Sequence, residues 1–414
     1  MELFSGVISI KTITFLMFCV FAITAVGYLL GRITIKGVNL GTAGVFIIAL
    51  LFGALLYGPL KDQLVMTAND ETVNYAGNAL KIVENLGLML FVTSVGFIAG
   101  PGFFKGLKKN FKSYILLGAI IIITGGLVCA ACIGFGGCDS AMGTGILSGA
   151  LTSTPAFSAA KETIAATYSD PALAQSLEEA CTVGHGIAYI FGVVGVVLFV
   201  QLVPKIEKAN IAEERAKLVP VDDGSSRKQY AGKLIDVDDF GFAPFALAVV
   251  IGIFIGAIKI PMGTSSFSLG TTGGCLLTAL VFGHFGHIGK ISLKVKPETA
   301  QVFREFGLML FLIGAGIPGG ANFVQYFQWQ YFLYGALMTA IPMFVGYFFA
   351  KHVLKISLFN NLGSITGGMT STPALGTLVH VAGTDNVASS YAATYPIALV
   401  LVVLVSQFLI MIFP

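Results

Sequence analysis

The sequence predicts an all-α polytopic membrane protein built from two inverted repeats, each of five transmembrane helices plus one re-entrant, broken helical segment. Three observations lead there. Of 414 residues, 56% are hydrophobic and only 11% charged, about half the charge a soluble domain carries. Two five-residue blocks recur in order, GLMLF at 87–91 and 307–311 and TSTPA at 152–156 and 370–374. Most of the 24 Lys and Arg gather in alternate connecting segments, as cytoplasmic loops require. The near balance of 24 basic and 21 acidic residues, dispersed along the chain, excludes a nucleic-acid footprint.

A crossing takes about 20 apolar residues, and sustained hydrophobicity marks candidate spans near 12–31, 41–60, 80–100, 113–137 and 182–203, then near 241–259, 266–286, 302–320, 331–350 and 391–413. The first span has Lys11 before it and Arg32 after it, with no small-residue cleavage site between, so it reads as a span and not as a signal peptide. The stretch 204–240 is polar, of mixed charge, and divides the chain nearly in half. The resulting organisation is a first membrane repeat at 1–203, a cytoplasmic linker at 204–240 and a second, inverted membrane repeat at 241–414. Six cysteines lie mostly in apolar runs, where a thiol packs as a small hydrophobe, and the Cys129-x-x-Cys132 pair has neither a second pair nor a neighbouring His for a metal.

Two segments, 141–160 and 360–380, are apolar but rich in Gly, Ser, Thr and Pro. In LSGALTSTPAFSAA and ITGGMTSTPALGTL the Pro breaks a helix by its fixed φ and missing N–H, while Ser or Thr before it supplies a cap and Pro suits the first turn of a new helix. Each reads as descending chain, break and short helix. Were these segments full crossings, the acidic stretch 161–181 would face the cytoplasm and the basic linker would face out. Entering and leaving on one side, they bring every basic cluster inside, give each repeat an odd number of crossings, and leave both termini outside. Inverted repeats with matched broken helices are a plan of secondary transporters, with the site near the midplane.

The chemistry then falls on Thr152, Ser153, Thr154 and Pro155 with Thr370, Ser371, Thr372 and Pro373. Helix N-termini within the bilayer offer free amides and partial positive charge to a carboxylate, and the hydroxyls suit either that carboxylate or Na⁺ as a coupling ion; close packing of small residues is the plainer reading of one copy, but not of two in matched context. Thr93-Ser94 and Gly100-Pro101-Gly102 after the first GLMLF, and Gly314-Ala315-Gly316 and Pro318-Gly319-Gly320 after the second, read either as mid-membrane breaks flanking the site, with Ser94 and Gly316 substrate-binding and Thr93 ion-binding or gating, or as helix ends. Glu84 and Arg304 each stand three residues before a GLMLF and read as ion-binding or gating groups or as snorkelling anchors. His185 is set opposite Tyr395, which precedes Pro396 in what reads as another interrupted helix; both are substrate-site candidates. No nucleophile with a base, carboxylate pair or metal motif falls in the spans, so no enzyme, metal or cofactor is expected.

The twin GLMLF and TSTPA blocks, together with Thr394-Tyr395-Pro396 in the last span, resemble the aspartate:alanine exchanger family of bacterial permeases. The resemblance implies a multi-pass carrier of the bacterial inner membrane for small amino acids or related carboxylates such as aspartate and alanine, working by exchange, with periplasmic termini. Members typically carry soluble regulatory domains between the halves, where this chain has only its linker; the first half also shows Tyr189-Ile190 where the family tends to Tyr-Pro. The partners expected are a small-molecule substrate, the lipid bilayer and a second copy in a homodimer. Alternating access by an elevator-type movement is the analogous mechanism, and a gated channel for small organic anions is the alternative.

Overall fold

The structure is a computed structural model that describes residues 2–3, 8–35, 38–39, 43–68, 71–109, 111–218, 234–262 and 265–413. It is almost wholly helical. In order the helices are α1 (Thr12–Gly31), α2 (Ala43–Gln63), α3 (Ala76–Lys109), α4 (Leu116–Gly136), α5 (Ser140–Ala150), α6 (Thr154–Thr167), α7 (Pro171–Ile206) and α8 (Ile211–Ala216) in the first half. The second half holds α9 (Phe242–Gly256), α10 (Gly270–Phe285), α11 (Pro297–Ala321), α12 (Phe323–Tyr326), α13 (Trp329–His352), α14 (Leu358–Gly368), α15 (Thr372–Ala382) and α16 (Ala388–Ile412). The strands among the described residues are short two-stranded ribbons in connecting segments.

Eight of these helices are long and apolar enough to cross a membrane, so the chain is an all-α, multi-pass membrane protein. They present large apolar side chains outward, such as Leu55 at 75% and Phe135 at 94% exposure, as a lipid-facing surface does. The predicted spans 241–259 and 266–286 are the exceptions. They form α9 and α10, of 15 and 16 residues, shorter than a perpendicular crossing needs. Local chemistry sets those lengths: Asp238 accepts four backbone N–H bonds, from Phe240, Gly241, Phe242 and Ala243, fixing the start of α9, and Gly286 in the left-handed region ends α10. Those amides, Ala243 foremost, hold the Asp238 carboxyl below its ordinary pKa. The predicted loop 161–181 is mostly helix, with only 168–170 between α6 and α7. Within the linker, 219–233 lies outside the described residues.

The chain forms two compact units, each drawing on both halves of the sequence: Met1–Phe91 with Glu305–Phe327, and Val92–Arg304 with Gln328–Pro414. In the first unit α1 and α2 pack together through glycines, and the two GLMLF blocks cross antiparallel. A Cβ at Gly87 would stand 2.3 Å from the Phe311 nitrogen and 2.6 Å from the Gly307 oxygen, and one at Gly307 would stand 2.5 Å from the Phe91 nitrogen and 2.7 Å from the Gly87 oxygen. Each motif thus meets the other's equivalent residues, the reciprocity of a two-fold contact. Leu80, Val83, Met309, Leu310, Ile313 and Ile317 close the core around this crossing.

In the second unit the running directions follow from close contacts. Gly118 and Gly126 of α4 lie against Thr394 and Val405 of α16, and Gly335 of α13 lies against Ala188 of α7 with Gly195 against Thr339. So α4 runs with α16, and α13 with α7. Gly145 and Gly149 of α5 lie on Cys181 and His185, whereas Gly363 and Gly367 of α14 lie on Val387 and Tyr391, so α5 runs with α7 and α14 with α16. Since α5 packs back along α4, with Gly125 against Leu147 and Gly143 against Cys129, α5 and α14 run in opposite senses.

The glycine crossing in the first unit yields a direct test. Gly87→Leu or Gly307→Leu should destabilise the protein by roughly 3 kcal/mol or more, because backbone and not a flexible side chain is in the way, while Gly77→Ala, with open space around it, should be neutral or mildly stabilising. Unfolding of detergent-solubilised protein measures both; equal stability of the two classes would contradict the crossing.

Candidate functional site

Both TSTPA segments are helical hairpins. In the first, Asp139 caps α5 by accepting from Met142 N at 2.8 Å. Every residue of α5 is buried. At the tip Thr152 takes φ of +52°, its N–H bonds Gly149 O, and Ser153 N–H bonds Ser148 O at 2.8 Å. Ser153 then caps α6, accepting from Ala156 N at 3.3 Å, with Pro155 in the first turn. The returning arm runs against α7: Phe157 stacks on His185 at 4.3 Å and Lys161 meets Glu178 at 3.7 Å. α6 therefore retraces the direction of α5.

The second hairpin repeats this turn. Thr370 has φ of +50°, its N–H bonds Gly367 O, and Ser371 N–H bonds Thr366 O at 3.0 Å. α15, with Pro373 in its first turn, leads through Asp385–Val387 to the start of α16. Glycine is required on the inner face of both descending arms, where a Cβ at Gly145 would stand 2.1 Å from Cys181 O and one at Gly367 2.7 Å from Tyr391 O.

The two tips meet. Thr152 Oγ1 donates to Met369 O at 2.9 Å, and Thr370 Oγ1 donates to Leu151 O at 2.8 Å. The pairing is reciprocal: equivalent donors bond equivalent acceptors. Two β-branched residues are held at positive φ, at about 1–2 kcal/mol each, so that each hydroxyl reaches the opposite chain. The tips differ in one respect. Ser153 is spent on its own helix, whereas Ser371, equally buried, caps no amide and its Oγ has no hydrogen-bond partner among the described residues. The side chain of Thr372 lies outside those described; Thr154, Pro155 and Thr154's neighbours are buried.

With this geometry in hand, likeness to known proteins is informative. A family model described as a predicted permease membrane region, Asp-Al_Ex, matches residues 19–205 and 244–411. The chain belongs to this family. Uncharacterised transporters of Bacteroides thetaiotaomicron, Rhodopirellula baltica and Desulfotalea psychrophila are 27%, 26% and 24% identical to it, over 94–96% of this chain and 97–98% of theirs. The alignments run to 552–556 positions, longer than this chain of 414 residues, so these relatives carry segments without a counterpart here. The Asp-Al_Ex match omits 206–243, nearly the whole linker.

The remaining predicted residues of this permease divide between the units. His185 is fully buried on α7, with Nδ1 within 2.8 Å of Ser148 Oγ, which also lies 2.7 Å from Gly145 O. Its counterpart in the second half is Tyr391, not Tyr395. Gly149 meets His185 and Tyr189 as Gly367 meets Tyr391 and Tyr395, which shifts the sequence pairing by one helical turn, and the ring pairs repeat, 5.2 Å for His185–Tyr189 and 5.1 Å for Tyr391–Tyr395. Arg304 lies on α11, in the same unit as Tyr395. Thr93 and Ser94 are fully buried in the same unit; Glu84, buried and paired with Lys81 at 3.7 Å, and Gly316 belong to the other.

No break occurs where the sequence reads as either a break or a helix end, and Pro318-Gly319-Gly320 falls in the last turn of α11; the break read at Pro396 is absent too. α3 continues through Gly100-Pro101-Gly102, α11 through Gly314 to Gly320, and α16 through Pro396. The glycines serve packing instead: Gly96 lies on Ala279 of α10, and Gly316 lies on Ala49 of α2, where the absent side chain lets helices approach. Sequence reasoning missed Glu162, whose carboxylate accepts from Thr272 N at 3.1 Å in the first turn of α10. Its signal was the Lys161-Glu162 pair on an otherwise apolar arm.

The tip contact predicts small, similar losses. Thr152→Val and Thr370→Val should each cost about 1 kcal/mol, a net hydrogen bond, and the double variant about twice that. Denaturant unfolding in detergent measures them; a loss confined to one variant would contradict the reciprocal pairing.

Proposed function

We propose that this chain is a secondary active transporter, an exchanger that carries small amino acids or related carboxylates such as aspartate and alanine by alternating access. The observation that carries this reading is the meeting of two opposed hairpin tips through the Thr152–Met369 and Thr370–Leu151 bonds. A ligand held there touches backbone amides of two broken helices, which suits a carboxylate in a site without water. Thr152, Ser153 and Thr154 on one tip and Thr370, Ser371 and Thr372 on the other line it, with Pro155 and Pro373 fixing the helix starts. His185 and Tyr395 support the tips from α7 and α16, and Arg304 on α11 is an ion-binding or gating group.

The opposed directions of α5 and α14, and of α4 and α13, support an inverted repeat. Hairpins that enter from opposite sides and touch at their ends give each side of the membrane its own gate. We infer an elevator-type displacement of the hairpin-bearing unit, with Thr93 and Ser94 beside the path and Glu84 as a gating group. Na⁺ as coupling ion is consistent with the hydroxyl-rich tips. The reaction is transport without catalysis and without a bound cofactor. The setting proposed is the bacterial inner membrane, termini on the periplasmic side, as a homodimer.

Counterflow in proteoliposomes tests this. Internal aspartate or alanine should accelerate uptake of the labelled amino acid, and Thr154→Pro or Thr372→Pro, each removing a tip amide and restricting the residue before it, should reduce that uptake to background. Conductance without acceleration by internal substrate would favour a channel, and full counterflow in both variants would remove the tips from the mechanism.

A further inference from the structure

The first hairpin caps itself, since Asp139 bonds the first turn of α5. The second does not: Ser357 precedes α14, but its hydroxyl accepts from the Asn360 side chain at 2.9 Å and caps no backbone amide. The missing cap comes from the linker. Glu214, on α8, accepts from Leu358 N through Oε2 at 2.9 Å, while the adjacent Arg215 donates from Nε to Ala382 O, the last residue of α15, at 2.7 Å. We propose that α8 is a clamp on the second hairpin, gripping the beginning of its inward arm and the end of its outward arm and so restraining movement of its tip.

The chemistry of the grip is matched at both ends. A carboxylate stands at a helix N-terminus and a guanidinium at a helix C-terminus, each where the backbone dipole favours it. The exit of α15 is shaped for its partner: Gly383 has φ of +64°, and a Cβ there would stand 2.5 Å from Arg215 Nη2. α8 is itself fixed, begun by Asn210, which accepts from Ala212 N at 3.1 Å, and ended by the buried Leu218. Lys217 orients the Glu214 carboxylate through its other oxygen at 2.5 Å. Six residues of a polar linker thus hold both feet of one hairpin. Anything that bends the linker then acts on the hairpin directly, and on transport insofar as hairpin movement is the transport step, the one point that rests on the proposed function.

Hydrogen exchange of the full-length protein tests the clamp. In Glu214→Ala/Arg215→Ala, amides at the start of α14 and the end of α15 should exchange on the order of tenfold faster, as loss of two end contacts predicts, with α5–α6 unchanged and Glu213→Ala behaving as wild type. In proteoliposomes the double variant should alter the counterflow rate more than about twofold, the scale of one modest hydrogen bond. Unchanged exchange in α14–α15 would overturn the clamp; faster exchange with counterflow at the wild-type rate would overturn its control over transport. Should the double variant not fold, Arg215→Gln on its exposed side chain serves the same comparison. If the wild type itself shows no counterflow, the transport reading fails while exchange still decides the clamp.

Discussion

Everything in the candidate site depends on one constraint: two chains that each stop being helical inside the protein must satisfy the polar groups they free. In water the cost would be small. In an apolar interior an unpaired carbonyl costs on the order of 1–3 kcal/mol, so Leu151 O and Met369 O need donors, and each takes a threonine hydroxyl from the other hairpin. The threonines reach across only by adopting positive φ. The strain of about 1–2 kcal/mol per residue and the gain of about 1 kcal/mol per bond nearly cancel. A junction balanced this closely adds little net stability of its own.

The rest of the second unit serves this junction. Glycines on the descending arms let α5 lie on α7 and α14 on α16 with backbones in contact, which keeps the tips in register. Ring pairs on α7 and α16 stand behind them, and Lys161 with Glu178 ties the first returning arm to α7. The hairpins differ at their outer ends, one capped from within and one from the linker, and at their tips, where Ser153 is bonded and Ser371, among the described residues, is not. The two hairpins thus share a fold and differ in how their ends are held.

Much of this was legible in the sequence. The doubled GLMLF and TSTPA blocks located both contact points, and the Ser-Thr-Pro chemistry gave the break and the new helix start correctly, because these are local effects of φ, capping and a missing N–H. What failed was also physical. Pro396 reads as a break and Pro101 and Pro318 as a break or a helix end; α3 and α16 run on through theirs, while Pro318 stands in the last turn of α11, and a local rule sees the missing N–H but not the packing on neighbouring helices. The His185–Tyr395 pairing slipped by four residues because Ile187-Ala188 and Ile397-Ala398, identical in sequence, stand one turn out of the register that Gly149 and Gly367 set. Glu162, Glu214 and Arg215 act on helix ends 110 to 167 residues away, beyond any periodicity.

The central claim is that both tips serve one ligand site, and ligand protection of single cysteines tests it most directly. All six native cysteines are buried, so the background is low. With Thr152→Cys and Thr370→Cys in membranes, rising concentrations of the transported amino acid should slow thiol labelling at both positions with the same midpoint. Protection of one position only, or of the two with different midpoints, would contradict a shared site.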